Sequence, residues 1–260
     1  MTRAVFVEGV SGIGKSTTVR KLRDALRSRG HRAECYAEGD PNHPLDLCWV
    51  AYLDAPDYEK MLEEYPSSSD ALHENVVYRG DYVLLRYQTG QTPLFSGELD
   101  GALRAREFCY NPGHDVVPLK RFTEVFVRMW EQFAQGQGGN CDYAIFDASL
   151  VTHMTNDLVR NYGASDDELV GHLEDLLRAI RGLNPVIFYL SSADVRERLI
   201  RARKSRGQSR PDDAKIAYWE GRKRKDLSIL PRLSAKYRII RIENDDWDSV
   251  LPAILSEIAT

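Results

Sequence analysis

The chain has 260 residues, 43% of them hydrophobic and 28% charged, with a formal net charge of −4. This suits one large soluble α/β domain, or a core carrying an inserted subdomain, and argues against a general nucleic-acid binder. Cys35, Cys48, Cys109 and Cys141 form no C-x-x-C pair, which excludes a disulfide framework or paired zinc ligands and fits the reduced thiols of a cytoplasmic protein.

The first element is expected to be a buried strand, Ala4–Glu8, entered almost at once and without a basic-then-apolar leader. Gly9-Val10-Ser11-Gly12-Ile13-Gly14-Lys15-Ser16 follows, reading G-x-x-x-x-G-K-S. Lys15 to Arg29 has helical spacing, with Val19, Leu22, Ala25 and Leu26 on one face and Gly30 as a stop. A strand, a glycine loop and a helix in this order form the phosphate-cradling P-loop. Glycines let the backbone wrap phosphates closely, and the amides of Gly9, Ser11, Gly12, Ile13 and Gly14, with the helix N-terminus, supply partial positive charge. In this pattern Lys15 reaches the β- and γ-phosphates, Ser16 gives a hydroxyl to Mg²⁺, and Thr17 faces the nucleotide end of the loop. Glu8 reads as a hydrogen-bonding residue that fixes the loop.

A second strand is expected at Arg32–Ala37, followed by Glu38-Gly39-Asp40-Pro41. This loop faces the γ-phosphate from the acceptor side, where Glu38 or Asp40 would accept the proton of an attacking hydroxyl. Glu38 is preferred; turn chemistry is the alternative for either residue. Roughly from residue 41 to 139 the strand–helix alternation breaks. Helical patterns are read at Trp49–Tyr65, Asp70–Gln88 and Pro118–Gln135, punctuated by Gly90-Gln91-Thr92-Pro93, Asn111-Pro112-Gly113 and Gly136–Gly139. We expect a helical insertion over the C-terminal edge of the sheet that selects the acceptor. Trp49 and Trp130 read as core residues, with an acceptor-pocket lining as the alternative. His43, His114 and His153 have neither metal-ligand nor triad spacing and read as surface or satisfied core residues.

A third strand, Tyr143–Asp147, ends in a carboxylate placed to hold Mg²⁺ opposite Ser16, the alternative being a turn or helix cap. Ser165-Asp166-Asp167-Glu168 is a capping box that opens a helix. A fourth strand follows at Pro185–Leu190, and its uninterrupted apolar run suits a central strand covered on both faces. Arg196–Lys225 holds twelve Lys/Arg against four acidic residues, interrupted by Gly207-Gln208-Ser209-Arg210-Pro211. That pattern fits a lid whose arginines, foremost Arg201, Arg203 and Arg206, neutralise a transferring phosphoryl group. A solvated helix face is the bland alternative, and nucleic-acid contact lacks the stacking aromatics it needs beyond Tyr218 and Trp219. The last strand, Tyr237–Glu243, leads to a helix at Val250–Ile258.

Together these elements predict an α/β three-layer P-loop NTPase sandwich, a single domain over residues 1–260 around a five-stranded parallel sheet. It carries the helical insertion and, at about 196–225, an arginine-rich lid. The opening Val5-Phe6-Val7-Glu8-Gly9 through Lys15-Ser16-Thr17, Glu38 with Trp49 beyond it, and the Arg201–Arg206 region resemble thymidylate-kinase-like and deoxynucleoside-kinase-like P-loop kinases. The resemblance implies a glutamate general base at Glu38 and an arginine-bearing lid after the fourth strand. Asp147-Ala148-Ser149 departs from it, because Asp-Arg-Tyr or Glu-Arg-Ser usually stands there. The expected activity is ATP- and Mg²⁺-dependent phosphoryl transfer to a hydroxyl of a small molecule, with a nucleoside or nucleotide as alternative acceptor. A regulatory NTPase without an acceptor is the reading from another class, but there is no Asn-Lys-x-Asp guanine signature. Neither nucleic acid nor membrane is expected as a partner, since no apolar run approaches the ~20 residues that span a bilayer. A homodimer is a possible assembly, and base selection is expected near Glu243–Trp247.

Overall fold

A computed structural model describes residues 2–40, 42–109, 116–136, 140–243 and 246–258. In chain order, β1 (Arg3–Glu8) leads through α1 (Lys15–Ser28) to β2 (Ala33–Tyr36). A long excursion follows: β3 (Val50–Asp54), α2 (Ala55–Glu64), α3 (Ser69–Glu74), β4 (Val76–Tyr78), β5 (Tyr82–Arg86), a small hairpin of β6 (Gln88–Thr89) and β7 (Thr92–Pro93), α4 (Gly97–Arg104) and α5 (Leu119–Gly136). The chain returns through β8 (Tyr143–Asp147), α6 (Val151–Asn161), α7 (Asp166–Ala179), β9 (Val186–Ser191), α8 (Val195–Ser205), α9 (Asp213–Ile229), β10 (Lys236–Arg241) and α10 (Val250–Ile258).

The five expected strands pair in the order β10-β9-β1-β8-β2, all parallel. The chain leaves β1 toward one edge and β9 toward the other, so the strand order reverses beside β1. In open α/β sheets that reversal opens a ligand-binding crevice at the carboxyl ends of the strands. Side-chain alternation divides the core as a strand period of two requires. Ala4, Phe6, Ala144, Phe146, Ile187 and Tyr189 face one cluster with α5, α6, α7 and α9. Val5, Val7, Ile145, Val186, Phe188 and Leu190 face the other, with α1 and α10. Trp130 is fully buried, its ring stacked on Phe6 at 5.7 Å, in agreement with a core role. The capping box is also present: the Glu168 amide donates to the Ser165 hydroxyl, and the Ser165 amide to the Glu168 carboxylate.

The insertion corrects the sequence reading. It is not helical throughout: β3, β5 and β4 form an antiparallel three-stranded sheet with its own core, including Ala51, Leu53, Tyr58, Val83 and Leu85. The expected Trp49–Tyr65 helix is a strand followed by a helix, and the expected Asp70–Gln88 helix merges α3, β4 and β5. The physical reason is length. Val50–Leu53 and Tyr82–Leu85 are short apolar runs buried on both faces, where periodicity cannot separate strand from helix. Pro41, Asn111-Pro112-Gly113, His114 and residues 137–139 lie outside the described residues. No helix among the described residues is long and apolar enough to cross a membrane.

Candidate functional site

The glycine loop sits at the sheet's carboxyl edge between β1 and α1. Gly14 is the N-cap of α1 at φ 88°, and a glycine cap leaves the helix without a side-chain acceptor. Among the described residues, the amides of Gly12, Gly14, Lys15, Ser16 and Thr17 find no acceptor in the chain. A helix start with this many free donors, plus the dipole behind it, is built for an anion. Close packing also demands glycine here: a Cβ on Gly14 would meet the Trp247 indole at 2.5 Å, and one on Gly12 the Ala202 methyl at 2.9 Å. The buried Lys15 ammonium folds back on the Val10 carbonyl at 3.3 Å.

Two carboxylates hold the loop's floor in different ways. Glu8 is fully buried and accepts from the amides of Leu150 and Thr152, both at 2.8 Å, so it caps α6 and ties it to the loop. Burial pushes its carboxyl up in pKa against those hydrogen bonds. The Thr152 hydroxyl meets Gly9, and the Thr152 carbonyl accepts from the buried Arg222, itself paired with Asp226 at 3.1 Å. Tyr189 donates to the other Asp226 oxygen at 2.9 Å, joining α9 to the sheet.

Asp147 is also fully buried, yet both its carboxylate oxygens lack a hydrogen-bond partner among the described residues. Burial raises its pKa, while the Lys15 charge and the Ser16 hydroxyl act in the opposite direction. The next residue, Ala148, is held at φ 61°, a conformation that L side chains seldom adopt. The turn after it is pinned from the insertion side. The Leu45 amide donates to His43 Nδ1, so Nε2 carries the proton and donates to the Ser149 hydroxyl at 2.8 Å. Burial lowers the His43 pKa to about 4, consistent with that neutral ring. An orphaned carboxylate opposite Ser16 and Lys15 fits a hydrated Mg²⁺ ion better than a turn or cap, which would leave it bonded to amides.

Glu38 and Asp40 separate clearly. The Asp40 carboxylate accepts from the Asn42 amide at 2.9 Å and closes a turn. Glu38 instead lies 3.4 Å from Nε2 of the buried His153, at the head of α6, with its own side chain 57% exposed to the cleft. The imidazole of His153, in ion-pair range, pulls the Glu38 carboxyl down to about 2, against some desolvation and with help from Lys15 and Arg206. Burial works to strip His153 of its proton. Glu38, Asp46 and Asp157 more than offset this and push the imidazole up to about 9. Behind the pair, burial raises Glu107 to about 8, although it accepts from the Trp49 amide and from Tyr87. Trp49 therefore packs behind the site, with its ring 3.4 Å from where a Gly39 Cβ would stand.

The basic segment divides by face. Arg201 and Arg206 line a cleft of about 700 Å³ over the glycine loop, together with Lys15, Glu38, Arg198 and Ala202. Arg203 instead donates to the Ser209 carbonyl at 2.6 Å and braces the tip of the α8–α9 connection. Arg222 belongs to the core, paired with Asp226, and does not face the cleft. Arg198, stacked 5.1 Å over the Trp247 ring, escaped the sequence reading, as did His153. A lone histidine in an apolar helix carries no local signal; only the fold sets it against Glu38.

A second cavity, of about 440 Å³, shares Glu38, Thr152 and Trp219 with the first. Its remaining lining comes from α6 and α9, and no described residue of the insertion lines it. The insertion acts here from behind, through His43 on Ser149 and the charge of Asp46 near His153. No protein-family model matches the chain, and no curated protein matches it at a significant level.

Proposed function

We propose that the protein is a P-loop kinase that transfers the γ-phosphate of ATP to a hydroxyl group of a small molecule in the cytoplasm. The observation that carries this reading is the meeting of two cavities at Glu38. One is floored by unsatisfied amides, Lys15 and an orphaned buried carboxylate, and the other is enclosed by α6 and α9. Ser16 and Asp147 would hold Mg²⁺, which when bound offsets phosphate charge and orients the chain of phosphates. The amides of Gly12, Gly14, Lys15, Ser16 and Thr17 and the Lys15 ammonium grip the β- and γ-phosphates, whereas the Ile13 amide, expected among them, donates to the Val10 carbonyl. Arg201 of α8 and Arg206, just past its C-terminus, face the same space and stabilise the charge spread over the moving phosphoryl group.

Glu38 orients the acceptor hydroxyl and takes its proton. A carboxylate held near 2 is a weak base. A loose, metaphosphate-like transition state asks little basicity of it, because the proton leaves the hydroxyl late. His153 keeps Glu38 ionised and fixed. The reading is tested by ATP consumption with and without a panel of hydroxylated small molecules. Acceptor-dependent ADP formation is the expected result. Hydrolysis indifferent to every small molecule but stimulated by a protein or nucleic acid would replace the kinase with a regulatory NTPase.

A further inference from the structure

The second cavity restricts the acceptor, on the premise of the kinase reading above. Its floor is Glu38 and His153, and its walls are Asn156 and Arg160 of α6 and Lys215 and Tyr218 of α9. Glu38 is matched by His153 at 3.4 Å, and Oδ1 of the Asn156 side chain accepts from the Tyr218 hydroxyl at 2.6 Å. Arg160 and Lys215 are different. Among the described residues neither side chain has an ion pair or a hydrogen bond. Their neighbours do: Arg196 pairs with Asp213, Arg201 with Glu197, and Lys225 with Asp166. Two exposed cations thus stand uncompensated at the open side of a cavity whose floor is neutral as a pair.

We infer that the acceptor is an alcohol bearing its own anionic group, a carboxylate or a phosphate ester, with the hydroxyl at Glu38 and the anion between Arg160 and Lys215. The Glu38 carboxylate would repel an anionic acceptor oxygen, whereas a hydroxyl donates to it. The negative group therefore belongs at the opposite end, where the fixed positive charge selects it. Tyr218 and Trp219, edge to face at 5.2 Å, supply an apolar flank for the body of the molecule.

The test compares paired acceptors in ATP turnover: 4-(hydroxymethyl)benzoate with benzyl alcohol, glycerol 3-phosphate with glycerol, and adenosine 3′-monophosphate with adenosine. Wild type is run beside the Arg160→Gln/Lys215→Gln double variant, whose exposed helical positions tolerate the change. We expect kcat/KM to favour at least one anionic member by about tenfold or more, and the double variant to lose that preference with unchanged affinity for ATP·Mg²⁺. Equal or better use of the neutral members, a preference that survives in the variant, or no turnover of any pair by a protein that binds ATP·Mg²⁺ would each overturn the acceptor class alone. Failure to bind ATP·Mg²⁺ in calorimetry would overturn the kinase reading and this inference with it.

Discussion

The two cavities that meet at Glu38 are built in opposite ways. The cleft over the glycine loop takes its floor from one uninterrupted stretch, residues 11–17, which carries the free amides, the glycines and the lysine, while α8, Glu38 and Trp219 close over it. The second cavity draws its lining from just past β2, from α6 and from α9, more than a hundred residues apart in places. A contiguous loop preserves its geometry through local conformation, whereas the second cavity depends on long-range ties. Thr152 is the hub of those ties, bonded to Glu8, Gly9 and Arg222. Substitutions in the two regions should therefore fail differently.

The largest expected effect lies in the donor cleft. Lys15→Ala should lower turnover on the order of 10³-fold or more, with the fold intact, as judged by steady-state kinetics beside a thermal melt. Arg222→Ala should do the reverse and act through stability. It strands Asp226 in the core and should cost about 3 kcal/mol or more in denaturant unfolding. A loss of activity at unchanged stability would mean that α9 is not the scaffold described. Glu38→Gln should lower kcat about 10²-fold while ATP affinity moves little. Equal loss of nucleotide binding in this variant and in Lys15→Ala would remove the distinction between the two sides.

The smallest effect is a pH dependence of stability. His153 is raised to about 9, so its contribution is complete below 6.5 and is lost as pH rises through 9. Glu107, raised to about 8, favours the folded state in its protonated form, and that advantage also fades as pH climbs from 4.5 through 8. The Glu107 loss thus begins in mild acid and is complete near 8, whereas the His153 loss falls between 6.5 and about 9. Glu38, depressed to about 2, adds stability above 4.5 that survives until strong acid. A fall in Tm on the order of 5 °C between pH 6.5 and about 9.5 is expected, and His153→Gln should flatten it.

How far the sequence could be read follows the same division. The five parallel strands, the glycine loop and the carboxylate closing β8 are local patterns, and each stands within a residue or two of where its pattern lies. Glu38 was legible because a strand and a Gly/Pro turn bracket it. His153, Arg160 and Lys215 were not, because their role arises only when α6 packs across α9 beside β2. The insertion was misread for another reason: five-residue strands such as Val50–Asp54 carry no period long enough to tell them from buried helix. The basic segment at 196–225 was half legible. Charge density revealed α8 but could not show that Arg222, four residues from Asp226, turns inward to pair with it.

A triphosphate held by the amides at the head of α1 is the premise of the proposed function. Titration calorimetry of the wild-type protein with ATP in the presence of Mg²⁺ tests this most directly. Saturable heat at one site per chain is expected, greatly weakened in Lys15→Ala. No heat with any purine nucleoside triphosphate would contradict it.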